Sequence, residues 1–342
     1  MTASSVEPAA APVNVPPPRP QAWWTPAVER ARVQRLLRTK DQPGLAFLAV
    51  WLALLAVTTW TLAATWGTLL VVPSLIAHGA VLSFAYAISH EGAHGTAFRS
   101  RWLNESVFYL TSFIFGEEPM YRRFSHGRHH AATWYPGFDS QMPYRNPITR
   151  ARYAREAVAI VGMFEGLVQM IRHARGKLTP DEREFVPRAR VRQLIRGARL
   201  FLLGYVGVFV VAALTRSIFL PVAFFGARIA GGWVVQLFIN SQHMCMSEAV
   251  SDHRHSTRSL ACSLPVRLLY WNMNFHIEHH LYPGVPFHAL PAVNRLVRDE
   301  LPQPTRGALR ANLEILEVIA RQGRDPGAVA APRFQAGADR IA

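Results

Sequence analysis

QPGLAFLAVWLALLAVTTWTLAATWGTLLVVPSLIAHGAVLSFAYAISHEGAH, residues 42–94, decides the architecture of this chain. From Gln42 to His90 it holds no Asp, Glu, Lys or Arg. A helix that crosses a bilayer needs about 20 apolar residues, so the run is long enough to cross twice, as a hairpin. Thr65, Trp66 and Gly67 interrupt the aliphatic sequence, and Trp suits an interfacial level, so the turn is expected near Ala64 to Gly67. The stretch ends in His90-Glu91-Gly92-Ala93-His94, whose two imidazoles lie four residues apart and therefore on one helix face.

The rest of the 342 residues extends this reading. The chain is 50% hydrophobic and 17% charged, too apolar for an ordinary soluble domain. A second hairpin is expected between Ala198 and Met246, which gives an all-α integral membrane protein with spans near 44–64, 68–89, 199–216 and 221–243. Arg228 sits inside the last of these. A charge at mid-membrane costs roughly 2.5 kcal/mol or more, so Arg228 either reaches an interface or faces a polar interior with a partner. The first option is preferred, with Arg216 and Arg228 bracketing an outer turn around Pro221. Basic residues precede the first span (Arg30, Arg32, Arg35, Arg38, Lys40) and the third (Arg172 to Arg199), which by the positive-inside rule places both segments in the cytoplasm. The expected location is a bacterial inner membrane.

Two further clusters repeat the histidine pattern: His126-Gly127-Arg128-His129-His130 and His276-Ile277-Glu278-His279-His280. Two double crossings return all three clusters to the cytoplasmic side, where a helical cap would hold them together. Eight imidazoles exceed the three or four ligands of one catalytic zinc and suit a pair of irons with positions open to O2. Taken alone, His90 to His94 spells HExxH, the zinc-protease motif with Glu91 as base, but that chemistry would leave six histidines idle. A metal transporter would distribute polar groups through its spans, whereas these are nearly bare.

The three clusters, with Trp271-Asn272-Met273-Asn274-Phe275 before the third and Leu281-Tyr282-Pro283 after its last histidine, resemble the membrane fatty acid desaturase superfamily, over roughly Gly44 to Leu301. The resemblance implies two irons held by His90, His94, His126, His129, His130, His276, His279 and His280. It also implies a further ligand from the end of the last span. His243 occupies that place, with Asn240 one turn earlier able to hold a water on an iron, although the spacing of this pair is shorter than in some relatives. The implied reaction uses O2 and two external electrons to introduce a double bond into an acyl or acyl-like substrate. Hydroxylation, or desaturation of a non-lipid metabolite such as an amino-acid enol ether of the dihydrorhizobitoxine type, are alternatives that no residue decides.

Ligand imidazoles usually donate their second N–H to a carboxylate or carbonyl, which makes Asp252 a candidate support, against an ion pair with Arg254 or Arg258. Glu91 and Glu278 adjoin ligands but point to other faces. His78, His173 and His288 are read as structural, and Cys245 and Cys262 as passive. The chain shows neither a fused cytochrome b5 haem motif nor a CxxC-type iron–sulfur site, so a separate ferredoxin or cytochrome donor is expected as partner, beside membrane lipids and a small-molecule substrate. The net charge of +15 comes almost wholly from arginine; with no aromatic interleaving or DNA-binding spacing it speaks for anionic lipid and not nucleic acid. Residues 1–28 read as a Pro/Ala-rich tail. Residues 302–322 read as an amphipathic helix, with Leu309, Leu313, Leu316 and Ala320 as its buried stripe, and 323–342 as loose chain.

Overall fold

In the computed structural model, residues 23–334 are described, and they are mostly helical. Three straight helices are long and apolar enough to cross a membrane: Asp41–Ala64, Val71–His94 and Arg188–Leu214. Two bent pairs could add two more crossings, Arg150–Ala157 with Ala159–Ala174 at 73° and Phe219–Gly231 with Trp233–His243 at 45°. The count is therefore three to five, against the four expected. The first of the bent pairs was not foreseen, because Arg150, Arg152, Arg155 and Glu156 mask the apolar run that follows.

The first hairpin turns after Ala64, where Gly67 adopts φ +82°. Its first helix is mostly left to lipid, with Leu45, Leu52, Val57 and Trp60 exposed, while buried Trp51 donates its Nε1–H to the Val81 carbonyl at 2.8 Å. The second helix ends one residue past His94, at Gly95 with φ +74°, a left-handed stop that glycine adopts without strain. Ser100 then ties the exit loop to the start of the first span, donating its N–H and Oγ–H to Asp41 at 2.8 and 2.6 Å. The first histidine cluster is thereby fixed to the end of the hairpin where its first helix begins.

The Phe219–Gly231 segment packs against Val71–Ser83 through glycine. A Cβ on Gly79 would overlap the Ala227 carbonyl, and one on Gly231 would overlap backbone of the facing helix. Such close approach is how membrane helices associate when the lipid offers no hydrophobic drive. It also corrects the placement of Arg228. The face that carries Ala227 and Gly231 is turned inward, and Arg228, 6% exposed, goes with it into the protein and not to an interface.

The Gly307–Gln322 helix caps the histidine end, but on a different face from the one expected. Ala308, Ala311, Ile315, Val318 and Ile319 are buried, whereas Leu309 and Leu313 are exposed. Both stripes are apolar, and the smaller side chains allow the closer approach to Leu237 and Phe238. A short parallel pairing of Leu260–Ala261 with Thr305–Arg306 anchors its start. Near the two ends of the described residues, Trp24 N–H bonds the Ser251 carbonyl at 2.8 Å, and Ala330 N–H bonds that of Cys245 at 2.7 Å. The expected tail segments 1–22 and 335–342 lie outside the described residues.

Candidate metal centre

Three helices and a span end deliver the histidines. His90 and His94 close the second span, and His126, His129 and His130 lie on Pro119–Ala131, started by Pro119 and capped by Glu118, whose carboxylate accepts Tyr121 N–H at 2.6 Å. His276, His279 and His280 lie on His276–Leu281, and His243 is the last residue of Trp233–His243. All nine are gathered at one place. His90, His94, His126, His130 and His279 offer nitrogens within 4.8 Å of one another, and so, separately, do His129, His243 and His280. His276 Nε2 joins the second group, 3.1 Å from His243 Nε2 and 3.2 Å from His280 Nε2. The division is five and four.

The outer nitrogens show which atoms face inward. His243 Nδ1 donates to the Ser256 carbonyl at 2.9 Å, His129 Nδ1 to Asp139 Oδ2 at 2.9 Å, and His126 Nδ1 pairs with Gln141 Oε1 at 3.0 Å. Thr133 spends its hydroxyl proton on the His129 carbonyl at 2.8 Å, so toward His280 Nδ1, 3.1 Å away, it can only accept. The Nε2 atoms of these four rings therefore carry lone pairs. His243 and His280 both aim theirs at the one Nε2 of His276, which has at most one proton to give. Lone pairs brought together this way repel unless a cation sits between them, and two nitrogens about 2.1 Å from one ion at right angles stand about 3.0 Å apart.

Burial agrees. It holds His126, His130, His276, His279 and His280 well below the usual imidazole range, ahead of repulsion among the rings, so they are neutral at pH 7. Both nitrogens of His90, Nε2 of His94, and Nδ1 of His130 and His276 are buried with no partner among the described residues. Orphaned donors and acceptors in such number are expensive in a protein that binds nothing there. The donor set, all imidazole with two groups of ligands side by side, fits a pair of iron ions.

The chain belongs to the fatty acid desaturase family. A family model described as fatty acid desaturase matches residues 64–307, a range that contains every one of the nine histidines. No curated protein matches the chain. As a member of that family it is an oxidoreductase.

The supporting residues differ from the sequence-based choice. Asp252 pairs with Arg254, its Oδ2 2.7 Å from Nη2, and caps the short helix His253–Ser256; it touches none of the nine imidazoles. The carboxylate beside one of the nine imidazoles is Asp139, whose two oxygens also accept the N–H groups of Trp134 and Gln141, both at 2.8 Å. These bonds fold the loop after the second cluster back onto its own helix. Nothing in the spacing distinguishes Asp139 from Asp252; the loop geometry does. Glu91 accepts from Thr96 Oγ at 2.5 Å and Phe287 N at 3.1 Å, and Glu278 from Ser259 and Asn294, so both serve the packing. A general base at Glu91, as the protease alternative needs, is pointed the wrong way. His78 bonds Thr58 and His173 bonds Glu182, away from the centre. Asn240 is buried on the cavity that reaches the histidines, with its Nδ2 unpartnered.

Asp139→Asn should keep the size of the side chain and weaken its hold on the His129 ring. The expected loss is roughly 10- to 100-fold in metal affinity or turnover. Asp252→Asn should change neither by more than twofold or so, since its partner is an arginine. Iron titration of both variants checks the pair, and equal effects would remove the distinction drawn between them.

Proposed function

We propose that this chain is a membrane-bound non-haem di-iron oxidoreductase that uses O2 and two external electrons to introduce a double bond into an acyl-like substrate. The observation that carries the reading is the convergence of nine imidazoles in groups of five and four. His90, His94, His126, His130 and His279 would hold one iron; His129, His243, His276 and His280 the other. Such a pair supplies activation of dioxygen to an oxidant strong enough to take hydrogen from an unactivated C–H bond. The group of four leaves more room for a further ligand, and Asn240 is the side chain suited to hold a water there.

The protein's own part is orientation and exclusion of water. The carbonyl of Ser256, the carboxylate of Asp139, the Thr133 hydroxyl and the Gln141 amide keep four rings from turning. Trp134 stacks on His243 at 5.1 Å and 20°, closing one side. A cavity of about 360 Å³ reaches the other side, touching His90, His126, His129, His243 and His276. Substrate placed there is within reach of both groups and shielded from bulk water.

Electrons would come from a separate acidic donor of ferredoxin or cytochrome type. Trp23, half-exposed, stacks on His253 at 4.3 Å and 11°, and the His253 ring lies 5.0 Å from that of His280. That contact leads from the surface to a ligand. Burial pushes His253 down to about 4, so the ring is neutral beside the centre at physiological pH.

Metal analysis and product analysis together test the proposal. The purified protein should carry about two irons per chain. Its product should lack two hydrogens relative to substrate, and only when O2 and a reducing partner are present. A gain of one oxygen would replace desaturation by hydroxylation; a single zinc, or turnover without O2, would end the di-iron reading.

A further inference from the structure

Arg228 lies within a bent span and, among the described residues, has no counter-ion. Its guanidinium rests over Phe115 at 5.3 Å and against the turn at Gly116, where an added Cβ would stand 3.0 Å from Nη1. Gly116 has φ +90° and no side chain, which is what lets the guanidinium come this close. Among the described residues no carboxylate forms an ion pair with it and no group hydrogen-bonds to it. It lines the same cavity that reaches the histidines. Two rings link it to the centre: Phe115 is 5.2 Å from Tyr86 and Tyr86 is 6.0 Å from His90, ring to ring.

A second arginine lines the cavity nearer the metal ligands. Arg122 is 5% exposed and sits over Tyr86 at 5.0 Å. Its Nη1 bonds Glu117 Oε2 at 2.9 Å, while its Nε and Nη2 are buried without partners. The charges along the cavity can be paired off. Glu117 answers Arg122, and Glu156 answers Arg152 at 2.9 Å. Arg228 remains.

A cavity for a long hydrocarbon chain gains nothing from this lining, since methylenes do not repay the burial of charge. An ionisable residue inside a membrane protein marks a ligand when no protein group answers it. We infer that the substrate is a small carboxylic acid bound as its anion, with the carboxylate on Arg228 and a second polar group on the free donors of Arg122. An acyl chain held as a lipid ester or thioester has no free carboxylate and would leave Arg228 unanswered. The inference names the substrate class of the oxidoreductase proposed above and rests on that reading for its chemistry. The binding itself depends on no metal step.

Hexanoate, hexanamide and a palmitoyl thioester serve as probes, titrated into the purified metal-loaded protein in lipid nanodiscs and followed by calorimetry. Hexanoate should bind at least about tenfold tighter than hexanamide, because only the anion neutralises the buried guanidinium in a bidentate ion pair. Arg228→Met should erase that preference with metal content unchanged, and Arg228→Lys should keep part of it. If the methionine variant does not fold, the lysine variant and the comparison of acid with amide on the parent protein still decide. Equal binding of acid and amide, a preference that survives Arg228→Met, or tight binding of the thioester alone would overturn the inference. Two irons with no carboxylate preference would sink this inference alone. A carboxylate preference without two irons would sink the di-iron reading instead.

Discussion

His243→Ala should lower the metal content from about two to about one per chain and reduce turnover by about three orders of magnitude, the size of loss seen when one member of a group acting as a unit is removed. The side chain is the only one of the nine histidines that lies outside the three clusters, so the result tests the convergence and not the motif. His243 makes two contacts that fix its role. Nδ1 is tied to the Ser256 carbonyl and Nε2 faces His276 Nε2 at 3.1 Å. Alanine removes both and leaves His276 with His280 alone. Iron analysis and single-turnover kinetics on the same preparation read the two effects. Full metal content with normal turnover would show His243 to be a packed ring and nothing more.

Gly79→Val should cost about 3 kcal/mol or more, and the variant should fail to purify as a folded species. The side chain would have to occupy the place of the Ala227 carbonyl, and Gly231 leaves no slack on the facing helix, since it too meets backbone of the first hairpin. Neither helix can yield by a rotamer change, because backbone and not side chain is in the way. The bent span carries Arg228 and Asn240 along the cavity and ends at His243, so parting these helices would also disturb the centre. Thermal unfolding in detergent checks the prediction against Gly67→Ala, whose added Cβ meets nothing and whose only penalty is the positive φ. Similar behaviour of the two variants would mean the close crossing is unimportant.

The residues reached by reading the chain are those whose signal is local. An uncharged run from Gln42 to His90 announces a hairpin because the bilayer demands length and apolarity of every crossing. The eight clustered histidines announce a metal centre because helical spacing puts them on shared faces. Asp139, Arg122 and Trp134 were missed. Each matters only through a neighbour distant in space or through the fold of a loop, and no spacing rule reaches that far. The exposed Leu309 and Leu313 show the same limit: a helix with two apolar faces does not say which one will be covered.

Amino-acid order by itself pointed to a helical chain with segments apolar enough to cross a membrane and to imidazoles at three stations suited to metal. Periodicity and charge act over one or two turns, and both conclusions need no more. The division of nine rings into five and four, the choice of Asp139 over Asp252, and the inward turn of Arg228 were decided only when the helices packed. Gly79 and Gly231 set how closely two helices meet, and that contact fixes which face of the last span looks into the cavity. A rotation of that helix by a single residue would carry Arg228 to lipid, where its charge would be far more costly.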